Sequence, residues 1–428
     1  MGKELEGYRI PVAPPEIAPK AHKRLGPKAK LGIGATIVAS VTIALGVYAD
    51  KNLDKVAEFS RSVIGDENTA RIERWFFYLQ DQKDQLDFKL FGGRTNPFDK
   101  TEEVVSGPDS TSASPAISYD EPVIDNSFFI LAPPEPPKPA PLILPETRPI
   151  LQRDATEGVW TIDGLPRTSP EDILMAKTFI NPDSARPYAT VGVLLLDKRR
   201  ISLHMTGGFD DPGGDRGIRG PGIIPESDRP NLLVAWNGGF RGPHGGYGMV
   251  ADGKEYRPLR NGLASVAVMG DGTILMGQWG RDLVWDENMV AVRQNAVLLV
   301  EDCNVTQAAR DQGTNNDVWG YVEVNSAEFI TWRSAIGLTQ NGDLLVAAGN
   351  SLSANSLARA LQAAGACTAM QLDINTPYVL TSLFFQEENG AITARKFMSS
   401  MMDGPGRFLN KQPNDIMYVT HDESKFLP

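Results

Sequence analysis

The sequence has few of the side chains that bind transition metals. It contains two cysteines and four histidines in 428 residues. Cys303 and Cys367 lie far apart in the chain, whereas zinc sites use ligands at short, recurring spacings. The segment 207–222, GGFDDPGGDRGIRGPG, leaves calcium open as an alternative, although the spacing of its aspartates matches no known calcium loop. We therefore expect the protein to work without a metal or another cofactor.

An excess of positive charge is also missing. The net charge is -11 and the isoelectric point is about 5.0, and no stripe of Lys and Arg with interleaved aromatics occurs along the chain. Nucleic-acid backbones attract basic faces, so we do not expect a nucleic-acid partner. With 41% hydrophobic and 22% charged residues, the composition is that of a globular protein long enough for two domains.

One uncharged apolar run stands near the N-terminus. Residues 31–49, LGIGATIVASVTIALGVYA, approach the ~20 residues that a bilayer-spanning helix needs. Basic residues crowd its N-terminal side: Lys20, Lys23, Arg24, Lys28 and Lys30. This asymmetry predicts a cytoplasmic tail over 1–30, a single-pass anchor in the cell membrane and an extracytoplasmic remainder. A cleaved signal peptide is the alternative, since Val47–Ala49 suits a peptidase, but the long leading segment favours an anchor.

The chain beyond the anchor changes character twice. Residues 50–92 place apolar side chains at helical spacing, which predicts a helical stalk. Residues 93–157 run through VSGPDSTSASP and APPEPPKPAPLILPETRP, which predicts a Pro/Ser-rich, semi-rigid linker. The segment 158–428 has apolar runs separated by Asp-Gly and Asn-Gly turns, and these predict antiparallel strands. We expect an α+β domain there, with mostly antiparallel strands and few helices.

Two finer features of the 158–428 domain follow from the sequence. Ser353 or Asn355 is positioned to cap a short helix, and Gly365 is positioned to end it. An oxidising exterior permits a disulfide between Cys303 and Cys367, which both fall beside strands of this domain.

Polar side chains lie at the ends of three apolar strands. Asn237 begins the NGGF turn after NLLVAW, Arg333 lies in TWRSAIGL, and Asp373 ends AMQLD. We expect these three strand ends to converge. The residue types alone leave other roles open, namely a plain tight turn for the glycines, a structural ion pair for Arg333 and a turn cap for Asp373.

Together these segments resemble the phosphodiester glycosidase family. The resemblance covers most of residues 185–421, and its carriers are the NGGF turn with Gly248 downstream, RSAIGL followed by NGDLLV, and LARALQAAGACTAMQLD. The sequence has LDIN where the family usually has LDGG, as in similar exported envelope proteins. The resemblance implies a hydrolase of glycosyl-1-phosphodiester bonds in envelope glycans or glycolipids. Because of the LDIN departure, the alternative is a non-catalytic envelope module that binds a glycan or a protein partner.

The implied reaction suggests roles for these residues. The leaving group is a phosphate monoester with a second pKa of about 6, so the site needs an anion holder and a carboxylate more than a strong acid. Arg333 suits the first task, and Asp373 suits the second. Asn237 is expected to bond a sugar hydroxyl or to orient Asp373, while Gly238 and Gly239 offer backbone N–H groups to an anion.

Further residues are weaker candidates for the same pocket. His244 is a possible proton carrier, although a surface role suits it equally. Asn350 and Asn375 are candidates for contacting the substrate, as is the run 293–295. The pair at 301–302, Glu-Asp, is the fallback for the carboxylate, although adjacent residues on a strand face opposite sides.

The charge asymmetry around residues 31–49 yields a testable topology. A reporter fused after residue 428 is expected to be active outside the cytoplasm, because the basic side of an anchor stays inside. Activity of the reporter in the cytoplasm would contradict this orientation. A mature N-terminus at Asp50, read by sequencing the purified protein, would show a cleaved signal peptide instead of an anchor.

Overall fold

The computed structural model describes most of the C-terminal part of the chain. The described residues are 78–92, 96–98, 141–311, 329–374, 378–402 and 404–422, with isolated positions at 60, 63, 64, 72, 105, 106, 319, 376 and 424. All of them belong to one unit, Ala57–Pro428. The predicted tail and membrane helix, 1–49, lie outside the described residues. Within the described part, no helix has the length and hydropathy to cross a membrane.

The described residues form strands with few helices. In chain order the strands are β1 (Val105–Ser106), β2 (Met175–Ile180), β3 (Val191–Leu196), β4 (Ile201–Thr206), β5 (Leu232–Asn237), β6 (Met249–Ala251), β7 (Lys254–Arg257), β8 (Ala264–Met269), β9 (Ile274–Gln278), β10 (Met289–Gln294), β11 (Leu298–Glu301), β12 (Asn304–Val305), β13 (Thr331–Thr339), β14 (Leu344–Leu352), β15 (Ala366–Ile374), β16 (Thr381–Gln386), β17 (Ile392–Lys396) and β18 (Ile416–His421). The helices are Gln307–Arg310 and Ala354–Ala363, residues 78–91 are also helical, and 3₁₀ turns occur at Gly214–Arg216, Glu226–Asn231 and Pro405–Leu409.

The strands build three sheets. Their orders are β1-β17-β16-β5-β18-β4, β7-β6-β10-β8-β9 and β12-β11-β15-β13-β14-β3-β2. The ladders between these strands are antiparallel. Mostly antiparallel strands with few helices confirm the predicted α+β class for the described residues.

The seven-stranded sheet is buried on both faces. Its central strands β3 and β14 are apolar almost throughout, as VGVLLL and LLVAAG, because neither face meets water. One face packs against the helix Ala354–Ala363 through Leu357 and Leu361. The other face shares the main core with the six-stranded sheet, where Trp236 is fully buried.

The helix Ala354–Ala363 has the predicted ends. Ser353 is its N-cap and forms a capping box with Ser356, since the hydroxyl oxygen of each residue accepts the backbone N–H of the other. Gly365 follows the helix with a φ of +95°, a left-handed conformation that favours glycine. The local sequence therefore sets both ends of this helix.

Parts of the predicted stalk and linker pack on the domain. The Trp160 indole N–H donates to the Pro145 carbonyl at 2.9 Å, and Leu142 is buried. Phe98 packs against Phe179 and Phe397, and β1 extends the six-stranded sheet beside β17. A proline-rich stretch has no internal hydrogen bonds, so its carbonyls are available to the domain.

The helical residues 78–91 also contact the domain. Asp81 accepts hydrogen bonds from Arg186 at 3.2 Å and from the Tyr188 hydroxyl at 2.6 Å. Phe88 packs near the Tyr188 ring. This part of the predicted stalk therefore lies against the edge of the domain.

Cys303 and Cys367 form a disulfide, as expected for an oxidising exterior. It joins the turn between β11 and β12 to β15 and closes a sequence separation of 64 residues. Replacing both cysteines by serine is expected to lower the free energy of unfolding by about 2–4 kcal/mol, because the bond restricts the unfolded chain. Urea unfolding of the double variant measures this loss. Two free thiols in wild-type protein denatured without reductant would contradict the bond.

Candidate active site

The NGGF turn joins two of the sheets. Asn237 ends β5, and its side-chain amide donates to the Ser334 hydroxyl at 2.9 Å. The Ser334 hydroxyl in turn donates to the Asp373 carbonyl at 2.8 Å. Asn237 Oδ1 also accepts the Leu380 N–H at 3.2 Å. Asn237 is buried, and these contacts connect the ends of neighbouring strands. They help to position Asp373.

The two glycines of the turn approach Asp415. The Gly238 N–H donates to the Asp415 carbonyl at 3.0 Å, and the Gly239 N–H donates to Asp415 Oδ2 at 3.2 Å. A Cβ at Gly238 would lie 1.8 Å from Asp415 Oδ2, and one at Gly239 would lie 2.7 Å from Arg293 Cζ. Sequence reasoning expected these N–H groups to face a substrate anion. In the structure the Gly239 N–H binds the carboxylate of Asp415, the Gly238 N–H binds the neutral backbone carbonyl of the same residue, and only glycine leaves room for these contacts.

Arg293 and Asp415 form a buried ion pair beneath this turn. Arg293 Nε lies 2.9 Å from Asp415 Oδ2 and Nη2 lies 3.3 Å from Oδ1, and the two side chains are 0% and 2% exposed. Arg293 also donates to the Phe240 carbonyl at 2.8 Å. Removing one partner of such a pair leaves an uncompensated buried charge, which costs about 3–5 kcal/mol. The pair therefore fixes the backbone of the turn.

The turn is linked to β15 by a third group. Asn295 accepts the Phe240 N–H at 3.1 Å and donates to the carbonyls of Gln371 and Leu372. Gly238 accepts the Asp373 N–H at 3.0 Å. The end of β15 is thus connected to the turn in two ways, through the Asn295 side chain and through the Gly238 carbonyl. Residues from all three sheets meet around it, because Asp415 precedes β18 and Arg293 lies in β10.

Asp373 is the least satisfied carboxyl of this cluster. Its Oδ1 accepts the Ile374 N–H at 2.8 Å, and its Oδ2 has no hydrogen-bond partner among the described residues. Burial, and then the negative charge of Asp415, raise the pKa of Asp373 to about 8 against the opposing pull of the Ile374 N–H, Arg293 and Arg241. The buried Asp373 carboxyl is therefore mainly protonated at pH 7.

Arg241 is the partly exposed cation that acts on Asp373. Its side chain is 18% exposed and its Nε donates to Asp211 Oδ2 at 2.6 Å. The other Asp211 oxygen accepts the Gly242 N–H at 3.0 Å. Arg241 Nη2 lies 3.8 Å from Asp210. The site therefore combines a neutral buried acid with a positive group at its border.

The aspartates of the 207–222 loop form ion pairs with arginines. Asp210 and Asp211 flank Arg241, and Asp215 pairs with Arg257. Among the residues that the structure describes, no group of three or more His, Cys, Asp or Glu side chains could hold a metal ion. The carboxylates that left calcium open in the sequence are engaged in these ion pairs.

Arg333 occupies a different position from the one expected. It is 1% exposed. Its guanidinium donates to the carbonyls of Leu352, Trp319 and Phe329 at 2.8–3.0 Å and to Gln371 Oε1 at 2.6 Å. The cations whose charges act on the Asp373 carboxyl are instead Arg293 and Arg241. These contacts of Arg333 fix the ends of β13, β14 and β15 through neutral oxygens.

The remaining candidates lie elsewhere or outside the described residues. His244 is exposed on the turn that follows Arg241, with its N–H donated to the Arg241 carbonyl at 2.9 Å. Asn350 is half-buried in β14. Asn375 lies outside the described residues. Glu301 pairs with Arg281 at the surface, which gives the fallback carboxylate a partner of its own.

Sequence reasoning missed Asp415 and passed over Arg241. Asp415 precedes β18 in the segment PNDIMYV, whereas the predicted site residues lie at the ends of strands. An antiparallel ladder brings the start of one strand beside the end of the next, and Ile416 pairs with Asn237. A polar residue at the start of a strand, such as Asp415, is therefore as strong a candidate as one at the end of a strand. Arg241 directly follows the NGGF turn, so its position after an apolar strand made it a candidate in the same way as Asn237.

One segment of the chain is similar to a known protein family. Residues 230–373 match the model of the phosphodiester glycosidase family, a segment that runs from the NGGF turn to Asp373. The resemblance seen in the sequence is thereby confirmed for this segment. The family consists of hydrolases, which agrees with the expected class of enzyme. No curated protein matches the chain.

Solved structures provide similar chains at low sequence identity. The catalytic domain of zebrafish N-acetylglucosamine-1-phosphodiester alpha-N-acetylglucosaminidase, described as auto-inhibited by its pro-peptide, is 17% identical, with 60% of this chain and 87% of that chain covered and a TM-score of 0.40. A hypothetical protein from Synechocystis is 13% identical, with 58% and 62% covered and a TM-score of 0.29. A putative exported protein from Burkholderia pseudomallei is 13% identical, with 54% and 74% covered and a TM-score of 0.22.

The raised pKa of Asp373 predicts that replacing this residue by asparagine increases the stability of the folded protein. The folded protein keeps this proton up to a pH of about 8, whereas an unfolded Asp loses it near about 3.9. Between these values the folded state binds more protons, so rising pH destabilises the wild type by up to ~1.4 kcal/mol per unit. Asp373→Asn should therefore be more stable than wild type at pH 8, with the difference shrinking towards pH 4.

Urea unfolding at several pH values between 4 and 8 measures this difference. Asparagine keeps the acceptor for the Ile374 N–H, so the local hydrogen bond survives the substitution. A variant that is less stable than wild type at every pH would show that Asp373 is an ionised structural cap.

Proposed function

We propose that the protein is a membrane-anchored, extracytoplasmic hydrolase of glycosyl-1-phosphodiester bonds in an envelope glycan or glycolipid. The observation that carries this proposal is the buried acid Asp373, which has one oxygen without a hydrogen-bond partner among the described residues and a cation whose charge acts on it. The family match of residues 230–373 supports the reaction class. The membrane anchor rests on the sequence of residues 31–49 alone.

A neutral Asp373 suits an anionic substrate. An ionised carboxylate would repel the phosphodiester, whereas a protonated one donates a hydrogen bond to it. Arg241 adds positive charge that acts on the Asp373 carboxyl. The proposed phosphate position is therefore beside Asp373 Oδ2 and the exposed part of Arg241.

Asp373 then acts as a general acid. Cleavage of the bond between the anomeric carbon and the phosphate oxygen leaves a phosphate monoester, and a proton from Asp373 on that oxygen neutralises the developing charge. A catalytic group is most effective when its pKa lies near the working pH, and the pKa of Asp373 is raised to about 8. Water attacks the anomeric carbon and loses a proton to solvent, and Asp373 takes up a proton from solvent to complete the cycle.

Other residues hold this acid in place. The Ser334 hydroxyl and the Gly238 carbonyl bind the backbone of Asp373 at 2.8 and 3.0 Å. The Arg293–Asp415 pair supports Gly238 from below and keeps a negative charge near Asp373. We therefore assign Ser334, Arg293 and Asp415 as positioning residues, and Arg333 as a residue that fixes the strand ends.

The proposal predicts the behaviour of Asp373→Asn in catalysis. Asparagine keeps the shape of the side chain but has no transferable proton, so kcat is expected to fall by roughly 10²–10⁴-fold with little change in KM. In the wild type, kcat/KM should decline above a pH of about 8 as Asp373 loses its proton. The measurement is sugar release from a panel of glycosyl-1-phosphodiesters between pH 5 and 10.

Asp343→Asn provides a matched control. Asp343 is also buried and burial raises its pKa, but it lies in the hairpin between β13 and β14, at the end far from Arg333. This variant should keep wild-type kcat and KM. Activity retained in Asp373→Asn, or a wild-type rate that rises through pH 8, would contradict the acid role. No sugar release from any member of the panel would favour the non-catalytic envelope module.

A further inference from the structure

A second group of polar atoms beside the candidate active site is not used by the proposed reaction. It consists of the Arg260 guanidinium and the Tyr247 hydroxyl. Arg260 is exposed, whereas Tyr247 is 7% exposed. Neither is needed to hold Asp373, so their chemistry calls for a separate explanation.

Arg260 is a positioned cation with unused donors. One Nη2–H donates to the Gly245 carbonyl at 2.6 Å, and the guanidinium carbon lies 5.6 Å from the centre of the Tyr247 ring. Its backbone is fixed by Gln294, which accepts the Arg260 N–H at 2.8 Å and donates to its carbonyl at 3.0 Å. The remaining guanidinium N–H groups have no partner among the described residues.

The other arginines around this loop differ from Arg260. Arg241 pairs with Asp211, Arg257 with Asp215 and Arg293 with Asp415. No acidic side chain of the described residues pairs with Arg260. Its positive charge is therefore available to an external anion.

Tyr247 supplies a second unused donor at the same place. A Cβ built on Gly245 would lie 3.1 Å from the Tyr247 hydroxyl, and the Gly245 carbonyl is the group that binds Arg260. The hydroxyl has no hydrogen-bond partner among the described residues. The residue is buried, but its hydroxyl is not among the enclosed polar atoms that lack a partner, so the hydroxyl meets solvent and is accessible to an external anion.

This group lies one turn of chain from Arg241. The His244 N–H bonds the Arg241 carbonyl and the Gly246 N–H bonds the Gly242 carbonyl, so residues 241–246 form a compact turn. Arg241 borders the proposed phosphate position, and Gly245, four residues on, holds Arg260. Two anion positions are therefore adjacent on one loop.

We propose that Arg260 and Tyr247 form a second phosphate subsite, and that the substrate is a glycan in which successive sugars are joined by phosphodiesters. This inference rests on the proposed hydrolase function and names its substrate class. The scissile phosphodiester lies at Asp373 and Arg241, and the next phosphate along the polymer lies at Arg260 and Tyr247. A substrate with a single phosphodiester leaves the second position empty.

Binding of two synthetic probes tests the subsite without turnover. One probe is a glycosyl-1-phosphodiester with a methyl aglycone, and the other carries a second phosphodiester on the aglycone. In the Asp373→Asn protein, calorimetry should give about tenfold tighter binding of the second probe, as expected for charge-assisted hydrogen bonds. Adding Arg260→Gln should reduce this ratio to about one and leave the affinity for the first probe unchanged. Adding Tyr247→Phe should reduce the ratio in part.

Arg219→Gln is the matched control, because Arg219 is also an exposed arginine of this region and its guanidinium has no partner among the described residues. It should leave the ratio of affinities unchanged. Equal ratios with and without Arg260, equal binding of both probes by the parent protein, or no binding of either, would overturn the subsite. Preferential binding that depends on Arg260, together with no hydrolysis of either probe by the wild type, would retain the subsite and reject the hydrolase function.

Discussion

The arrangement of the site depends on the buried ion pair between Arg293 and Asp415. Asp415 precedes a strand of the six-stranded sheet, Arg293 lies in the five-stranded sheet, and both contact the turn at Gly238 and Gly239. Through Gly238 this turn binds Asp373, at the end of a strand of the seven-stranded sheet. One desolvated pair of charges thus joins three sheets at the point where the candidate acid lies. The cost of burying this pair is offset by the hydrogen bonds that the remaining polar atoms of both side chains form.

The same pair gives the two carboxyl groups of the site different environments. Asp415 has a guanidinium and two backbone N–H groups around it, one at its carbonyl and one at its carboxylate. Asp373 has one N–H and a buried position beside that negative charge. Environments that separate two carboxyls in this way are typical of acid–base catalysis. In the proposed reaction, the neutral acid allows an anionic substrate to approach a site that contains several aspartates.

The sequence predicts the fold class and the ends of one helix, because these depend on local patterns. The disulfide, which joins residues 64 apart, was expected from the oxidising exterior instead. Ser353 and Gly365 act within a few residues of their own positions, and turn signals define the hairpins. It also identifies Asp373 and the glycine turn. It does not reveal Asp415 as the anion beneath that turn, because the contact joins residues 176 apart in the chain. The role of Arg333 is missed for the same reason, since its partners Trp319, Leu352 and Gln371 lie 14, 19 and 38 residues away in the chain.

The protonation state of Asp373 is the central claim, and it is directly measurable. Carbon-13 NMR of protein labelled at the aspartate carboxyl, with Asp373→Asn used to assign the signal, follows this group as the pH changes. The account predicts that the assigned signal titrates with a midpoint at a pH of about 8. A midpoint below about 5, within the range of ordinary aspartates, would show an ionised group at neutral pH and contradict the account.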